Sequence, residues 1–232
     1  MSQANTSRMS SRRSVAPTST IEDLNHLTAK VVKYILERGR TKYAIRANNI
    51  KRYVLKNRQS DFRSVMTSVA DKLDRIFGYE LVHIQGAQYF IVNKFLNEEI
   101  TQTNNQESAE QTLLFLTLSF IFMCSEAQDN AIVKEDDLWR FFYSLNILNE
   151  NQIHPYFGNV KELIATEFVK QLYLSVLKSR ETDVICYQWG PRAEKEIKRR
   201  SILEFASKVY QNRPIETWKT QYKAMKMSEH NI

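Results

Sequence analysis

From Ile21 onward, apolar residues recur at three- and four-residue intervals. Leu24, Leu27, Val31, Val32, Ile35 and Leu36 form one face of an amphipathic helix, which Gly39 is placed to end. Residues 43–45 read as a short extended piece. Ala47, Ile50, Val54 and Leu55 then mark a second helix, and Phe62, Val65, Met66, Val69, Leu73, Ile76 and Phe77 a third, with Ser60 as its N-cap and Gly78 as its stop. The period then changes. Residues 81–84 and 89–92 are rich in β-formers and flank Gln85-Gly86-Ala87, which predicts a β-hairpin.

Residues 101–110 are polar and read as a linker or a helix lead-in, after which the same order of elements returns. Residues 112–123 predict a helix that is apolar on most sides and belongs at the centre of a core. A short strand at 131–133 follows. Next come a helix at 135–145 carrying Leu138, Phe141, Phe142 and Leu145, a helix at 160–169, and a hairpin from 173–177 and 184–189. Gly190-Pro191 interrupts the chain and a last helix is predicted over 192–210. Three helices closed by a hairpin wing make a winged-helix module. The fold class expected is therefore mainly α with small β wings, as tandem winged-helix domains at 21–100 and 111–210. The Ser/Thr-rich tail at 1–20 has too little to bury and is expected to be disordered. In the tail at 211–232, Trp218, Tyr222, Met225 and Met227 have the spacing of a short amphipathic helix.

Composition sharpens this picture. Five Gly and four Pro in 232 residues disfavour a loop-rich all-β fold, and two cysteines cannot build a disulfide framework. The longest apolar run has 12 residues, where a membrane helix needs about 20. No secretory signal pattern opens the chain, so a cytosolic or nuclear location is expected. The net charge of +7 is uneven: residues 1–100 hold 17 Lys and Arg against nine Asp and Glu. Between positions 33 and 63 ten basic residues face two acids. Such a band attracts polyanions, nucleic acid first among them. The DNA-binding candidates it supplies are Arg46, Lys51, Arg52, Lys56, Arg58 and Arg63. A second group, interleaved with Glu194 and Glu196, is Lys195, Lys198, Arg199 and Arg200, with Lys178 and Arg180 in the second wing. On the third helix only Arg63 and Arg75 could make bidentate contacts to bases, and Asp71 and Asp74 oppose a base-reading role. Duplex binding without sequence preference is the expectation.

No catalytic arrangement emerges. The five glycines are scattered and form no phosphate-binding loop. His26, His83, His154 and His230 lack metal-ligand spacing. Cys124 and Cys186 read as small buried hydrophobes, and Glu135-Asp136-Asp137 as helix-start carboxylates that favour the positive end of the dipole. Neither a cofactor nor a metal is expected. Arg12-Arg13-Ser14 has the form of a basophilic kinase site.

Certain blocks resemble a known family. Residues 68–82 (SVADKLDRIFGYELV), 89–95 (YFIVNKF), 113–123, 187–193 (YQWGPRA) and 203–209 (LEFASKV) look like the MAGE homology domain, in the family's order. The lack of a long extension resembles the ancestral-type branch, which serves the SMC-five/six complex. The resemblance implies a non-enzymatic, nuclear and chromatin-associated protein acting in DNA repair and genome stability. Its implied partners are a RING-type ubiquitin ligase subunit (the first non-SMC element), a kleisin (the fourth) and, through the kleisin, the SMC ATPases. The family's ligase contact uses a leucine pair in the first helix, for which the matching positions are Ile35 and Leu36. Two alternatives stay open on the residues alone: a MAGE-type regulator of a RING ligase outside any SMC complex, and a winged-helix transcription factor.

Overall fold

The computed structural model describes residues 21–95, 105–124, 131–149, 153–178 and 183–230. The tail expected at 1–20 and the candidate Arg180 lie outside them. In the first half, α1 (Ile21–Gly39) buries Val31, Val32 and Ile35, as the spacing predicts. Gly39 is its last residue, but the left-handed turn falls later, at Lys42 (φ 59°). Glycine at 39 leaves room for Ile91, whose side chain would have to shift to admit a Cβ there.

β1 (Ile45–Arg46) leads directly into α2 (Ala47–Asn49). The second helix expected here is not a regular α-helix. It widens into a π-helical turn over Ile50–Leu55, then tightens to a 3₁₀ turn over Lys56–Asp61, with Lys56 forced to φ 50° at the junction. α3 (Phe62–Phe77) follows and ends on left-handed Gly78 (φ 69°). Ser60 does not cap it. Asp61 holds the cap position, and its carboxylate is taken by Arg58 Nε at 2.8 Å. β2 (Tyr79–Ile84) and β3 (Gln88–Asn93) form the wing, and β1 joins β3 to give the antiparallel order β1-β3-β2. Ile45 lies opposite Tyr89 in this sheet.

The second half begins with α4 (Asn105–Met123), so from Asn105 onward the polar stretch at 101–110 is the lead-in of a helix, and 101–104 lie outside the described residues. Ala109, inside that stretch, is buried, and Leu113, Leu114, Leu118, Ile121 and Phe122 extend the same helix through the second core. β4 (Val133–Lys134) and α5 (Glu135–Ser144) follow. A small hairpin not anticipated from the sequence, β5 (Ile153–His154) with β6 (Gly158–Asn159), comes next. His154 organises its turn, its Nδ1 accepting the N–H groups of Tyr156 and Phe157. α6 (Val160–Glu162), a π turn at Leu163–Glu167 and α7 (Phe168–Lys170) together make the third helix. β7 (Leu174–Lys178) and β8 (Ile185–Trp189) make the second wing, in the order β4-β8-β7.

The single final helix expected at 192–210 is two. α8 (Pro191–Glu196) stops where Ile197 turns extended (φ −110°, ψ 121°) and packs on the core, and α9 (Arg199–Val209) restarts two residues on. α10 (Lys219–His230) returns to the body and buries Met225 and Ala224 in the second core. The expected amphipathic tail helix is thus part of the second half. Cys124 is exposed, not the buried residue expected, and Cys186 is partly buried.

β3 joins the halves. As the central strand of its sheet it is buried on both faces: Ile91 enters the first core, while Phe90 faces the other half. Over the Phe90 ring, 4.7 Å from its centroid, sits the guanidinium of Arg192 from α8, with only 2% of the residue exposed. It donates to the carbonyls of Ile91 (3.0 Å) and Lys42 (2.9 Å) in the first half, and to Gln171 O (2.8 Å) and Glu196 (2.8 Å) in the second. Its position is set by Gly190, where any Cβ would collide with the Leu172 carbonyl.

Replacing Arg192 by Met removes the donors to three carbonyls in the seam and leaves the Glu196 carboxylate with the Tyr173 hydroxyl but without its countercharge. The expected loss is about 3–5 kcal/mol, as for other broken buried ion pairs. Urea unfolding of the variant should resolve into two transitions as the halves uncouple; a single transition at the wild-type midpoint would refute the role.

Candidate functional site

The basic candidates have two fates. In the second group nearly every charge is answered from within the fold. Lys195 bonds Glu80 of the first wing at 2.8 Å. Arg199 pairs with Glu194 and lies over the rings of Trp189 and Phe122. Arg200 grips Glu229 of α10 with Nε at 2.8 Å and Nη2 at 3.2 Å. Lys178 pairs with Asp183. Lys198 alone of this group is exposed with no ion pair among the described residues.

In the first group the charges are mostly free. Arg58 is engaged with Asp61. Lys51 is half-buried, its ammonium 4.7 Å from the Phe62 ring centroid. Arg46, Arg52, Lys56 and Arg63 are exposed and form no ion pair among the described residues. From position 38 to 60 there are eight basic residues and not one acid. The wing is close by, since the N–H of Ala47 donates to Ala87 O at its turn (2.9 Å). The outward face of α3 is neutralised instead: Arg75 pairs with Asp71, and Asp74 with Lys94. The positive surface therefore lies on the irregular α2 segment and the start of α3, not along the helix that usually reads bases.

The two partner-interface candidates also separate. Ile35, made a candidate by the family resemblance, is fully buried in the first core and presents no surface of its own, as its place on the apolar face of α1 also implies. Leu36, one residue on, is half-buried and lines a groove of about 360 Å³ with Ala29, Val32 and Phe77, rimmed by Lys33, Glu37 and Lys72. Phe77 and its neighbour Ile76 are 45% and 67% exposed.

The seam has its own electrostatics. The Tyr43 hydroxyl donates to Glu167 of the second half, which is also held by Lys170. That hydrogen bond raises the Tyr43 phenol, and the two donors hold the Glu167 carboxyl below its usual range. Lys42 Nζ donates to Tyr173 OH (3.2 Å), which in turn donates to Glu196. Burial, reinforced by that carboxylate, pushes the Tyr173 phenol far up, so it stays a neutral donor. Among the described residues no cluster of His, Cys, Asp or Glu could hold a metal ion, and no helix is long and apolar enough to cross a membrane. Sequence reasoning passed over the role of Arg192 and a set of tyrosines at 34, 43 and 53. Their one visible signal was the spacing of these aromatics through the basic band.

Residues 31–90 and 86–200 match the model of the MAGE homology domain family. The mouse protein named non-structural maintenance of chromosomes element 3 homolog is 30% identical over 209 residues, covering 88% of this chain and 72% of that one. Its human counterpart is 28% identical over 209 residues, covering 88% of this chain and 66% of the relative. Human melanoma-associated antigen F1 is 28% identical over 206 residues, covering 86% of this chain and 65% of the relative. The chain thus spans about two thirds of the length of these relatives. A solved chain from an Nse1-Nse3-Nse4 complex aligns with a TM-score of 0.77 at 30% identity, over 90% of this chain and 100% of that one. With its two winged halves and the family's blocks in order, the chain belongs to the MAGE homology domain family.

Proposed function

We propose that this chain is a non-catalytic subunit of a chromosome-maintenance SMC complex. It bridges a RING-type ubiquitin ligase subunit and a kleisin, and it contacts duplex DNA through its first half. The observation that carries the reading is the alignment with a chain of the Nse1-Nse3-Nse4 complex along that chain's whole length at 30% identity. A nuclear, chromatin-associated place and a part in DNA repair follow from membership of such a complex.

Two surfaces divide the work. The groove around Leu36 presents apolar walls and a mixed-charge rim, which suits a protein partner, and the RING-type subunit is assigned to it. The band of Arg46, Arg52, Lys56 and Arg63 suits phosphates: each phosphate bound releases counterions, and none of these side chains forms an ion pair among the described residues. The neutralised face of α3 weighs against a sequence-specific transcription factor. Similarity to melanoma-associated antigen F1 supports a second reading, a RING-ligase regulator outside any SMC complex. Recovery of the tagged chain from its own cells with a RING protein, a kleisin and two SMC ATPases in similar amounts supports the first reading. A RING protein alone supports the second.

Leu36→Ala should weaken binding of the RING-type subunit by about 2 kcal/mol in calorimetry while costing little stability. Ile35→Ala should do the reverse, costing about 2–5 kcal/mol of stability through the cavity it leaves. Equal binding by wild type and Leu36→Ala would move the interface elsewhere.

Reversing Arg46, Lys56 and Arg63 to Glu should weaken duplex binding and flatten the slope of log affinity against log salt by about one for each phosphate no longer neutralised. Arg200→Gln, which disturbs only the pair with Glu229, should leave that slope unchanged. The opposite pattern would transfer the DNA surface to the second half.

A further inference from the structure

Between the C-terminal turns of α1 and the α2 segment runs a cleft of about 320 Å³ whose walls include Tyr34, Tyr43 and Tyr53. Tyr53 is 57% exposed and Tyr43 39%, while buried Ile45 lies beneath. Arg38 lies over the Tyr34 ring at 5.5 Å and Arg52 over the Tyr53 ring at 5.4 Å. Asn49 adds an amide to the same wall. Tyr43 is fixed from outside, through its hydroxyl on Glu167.

The cleft sits inside the acid-free stretch at 38–60, and Arg38, Arg40, Arg46 and Arg52 carry no ion pair among the described residues. Aromatic rings and unpaired guanidinium groups at one place define a ligand with two properties, a polyanionic backbone and free π-faces. Duplex DNA has the first but keeps its bases stacked and paired, so it has nothing to put between the tyrosines. An apolar peptide has no use for the charge. A single strand offers both: its phosphates follow the arginines and an unstacked base lies against a ring. The Asn49 amide is of the type that can meet a base edge.

We propose that this cleft seats an unstacked base of single-stranded DNA, with the strand's backbone along Arg38, Arg46 and Arg52. The assignment rests on the DNA-contacting role given to the first half. It extends that role to places where duplex passes into single strand.

The test titrates the full chain, by fluorescence anisotropy, with an oligothymidylate strand, a strand of the same length built of abasic sites, and a duplex. Tyr53→Ala removes a ring already more than half exposed and should weaken oligothymidylate binding roughly ten- to a hundredfold. Affinities for the abasic strand and the duplex, and all three salt slopes, should stay within about twofold of wild type, since every phosphate-binding side chain is still in place. Tyr53→Trp should restore the oligothymidylate affinity. If wild type binds the abasic strand as tightly as oligothymidylate, the cleft holds no base. If neither Tyr53→Ala nor Tyr34→Ala changes oligothymidylate binding, the assignment is wrong, with duplex binding still answering for the wider role. A loss shared equally by all three probes also overturns it, since the ring would then serve the backbone. If wild type binds none of the three, the cleft and the DNA contact of the first half fall together.

Discussion

A guanidinium withdrawn from water is costly unless each of its donors finds an acceptor, and Arg192 is the group on which the relation between the two halves turns. Its acceptors come from four separated places: the turn after α1, the central strand of the first wing, the end of the third helix of the second half, and its own helix one turn on. Aromatic faces of Phe90 and Tyr173 close the remaining sides. Such a group tolerates only one arrangement of its neighbours. Two small winged modules, each with its own core, thereby become one body with a defined outer surface.

That body settles which positive charges are available to a partner. The second basic group is as rich in Lys and Arg as the first, yet Lys195 is spent holding α8 to the first wing, Arg200 holding α9 to α10, and Arg199 and Lys178 in ion pairs of their own. In the first group Asp61 answers Arg58, and Arg46, Arg52, Lys56 and Arg63 form no ion pair among the described residues. Its chain is also bent out of regular helix by the π and 3₁₀ turns, which leaves Lys56 at the junction, exposed. The charge count in the sequence was the same kind of signal in both places. The difference lies in partners such as Glu229 and Glu80, which stand 29 and 115 residues away along the chain.

The same distinction explains what was legible beforehand. α1, α3 and both wings follow from local spacing, because one side of each must be apolar and the periods differ. The break at Ile197 carries no Gly or Pro to announce it; it exists because that residue packs inward. The hairpin at 153–159 has only two residues in each strand, too few to show a period, and it is held by a histidine accepting from its own turn. Ile35 and Leu36 are adjacent and chemically alike, and only the crossing of α1 with α3 sends one inward and leaves the other on a groove.

The place of α10 bears on how the protein is made. The hydrophobic core of the first half runs from Val31 to Ile91, so that module can close on a ribosome as soon as its wing has emerged. The second half draws on residues from Ala109 to Met225, and Gln221 reaches back to the carbonyl of Met123. The later part of its long helix α4, residues 112–123, is apolar on most sides, and the side of it that α10 covers stays open until the intervening chain has been made. The nascent protein thus passes through a stage in which a finished, basic module precedes an unfinished, sticky one, the kind of exposed surface that chaperones bind.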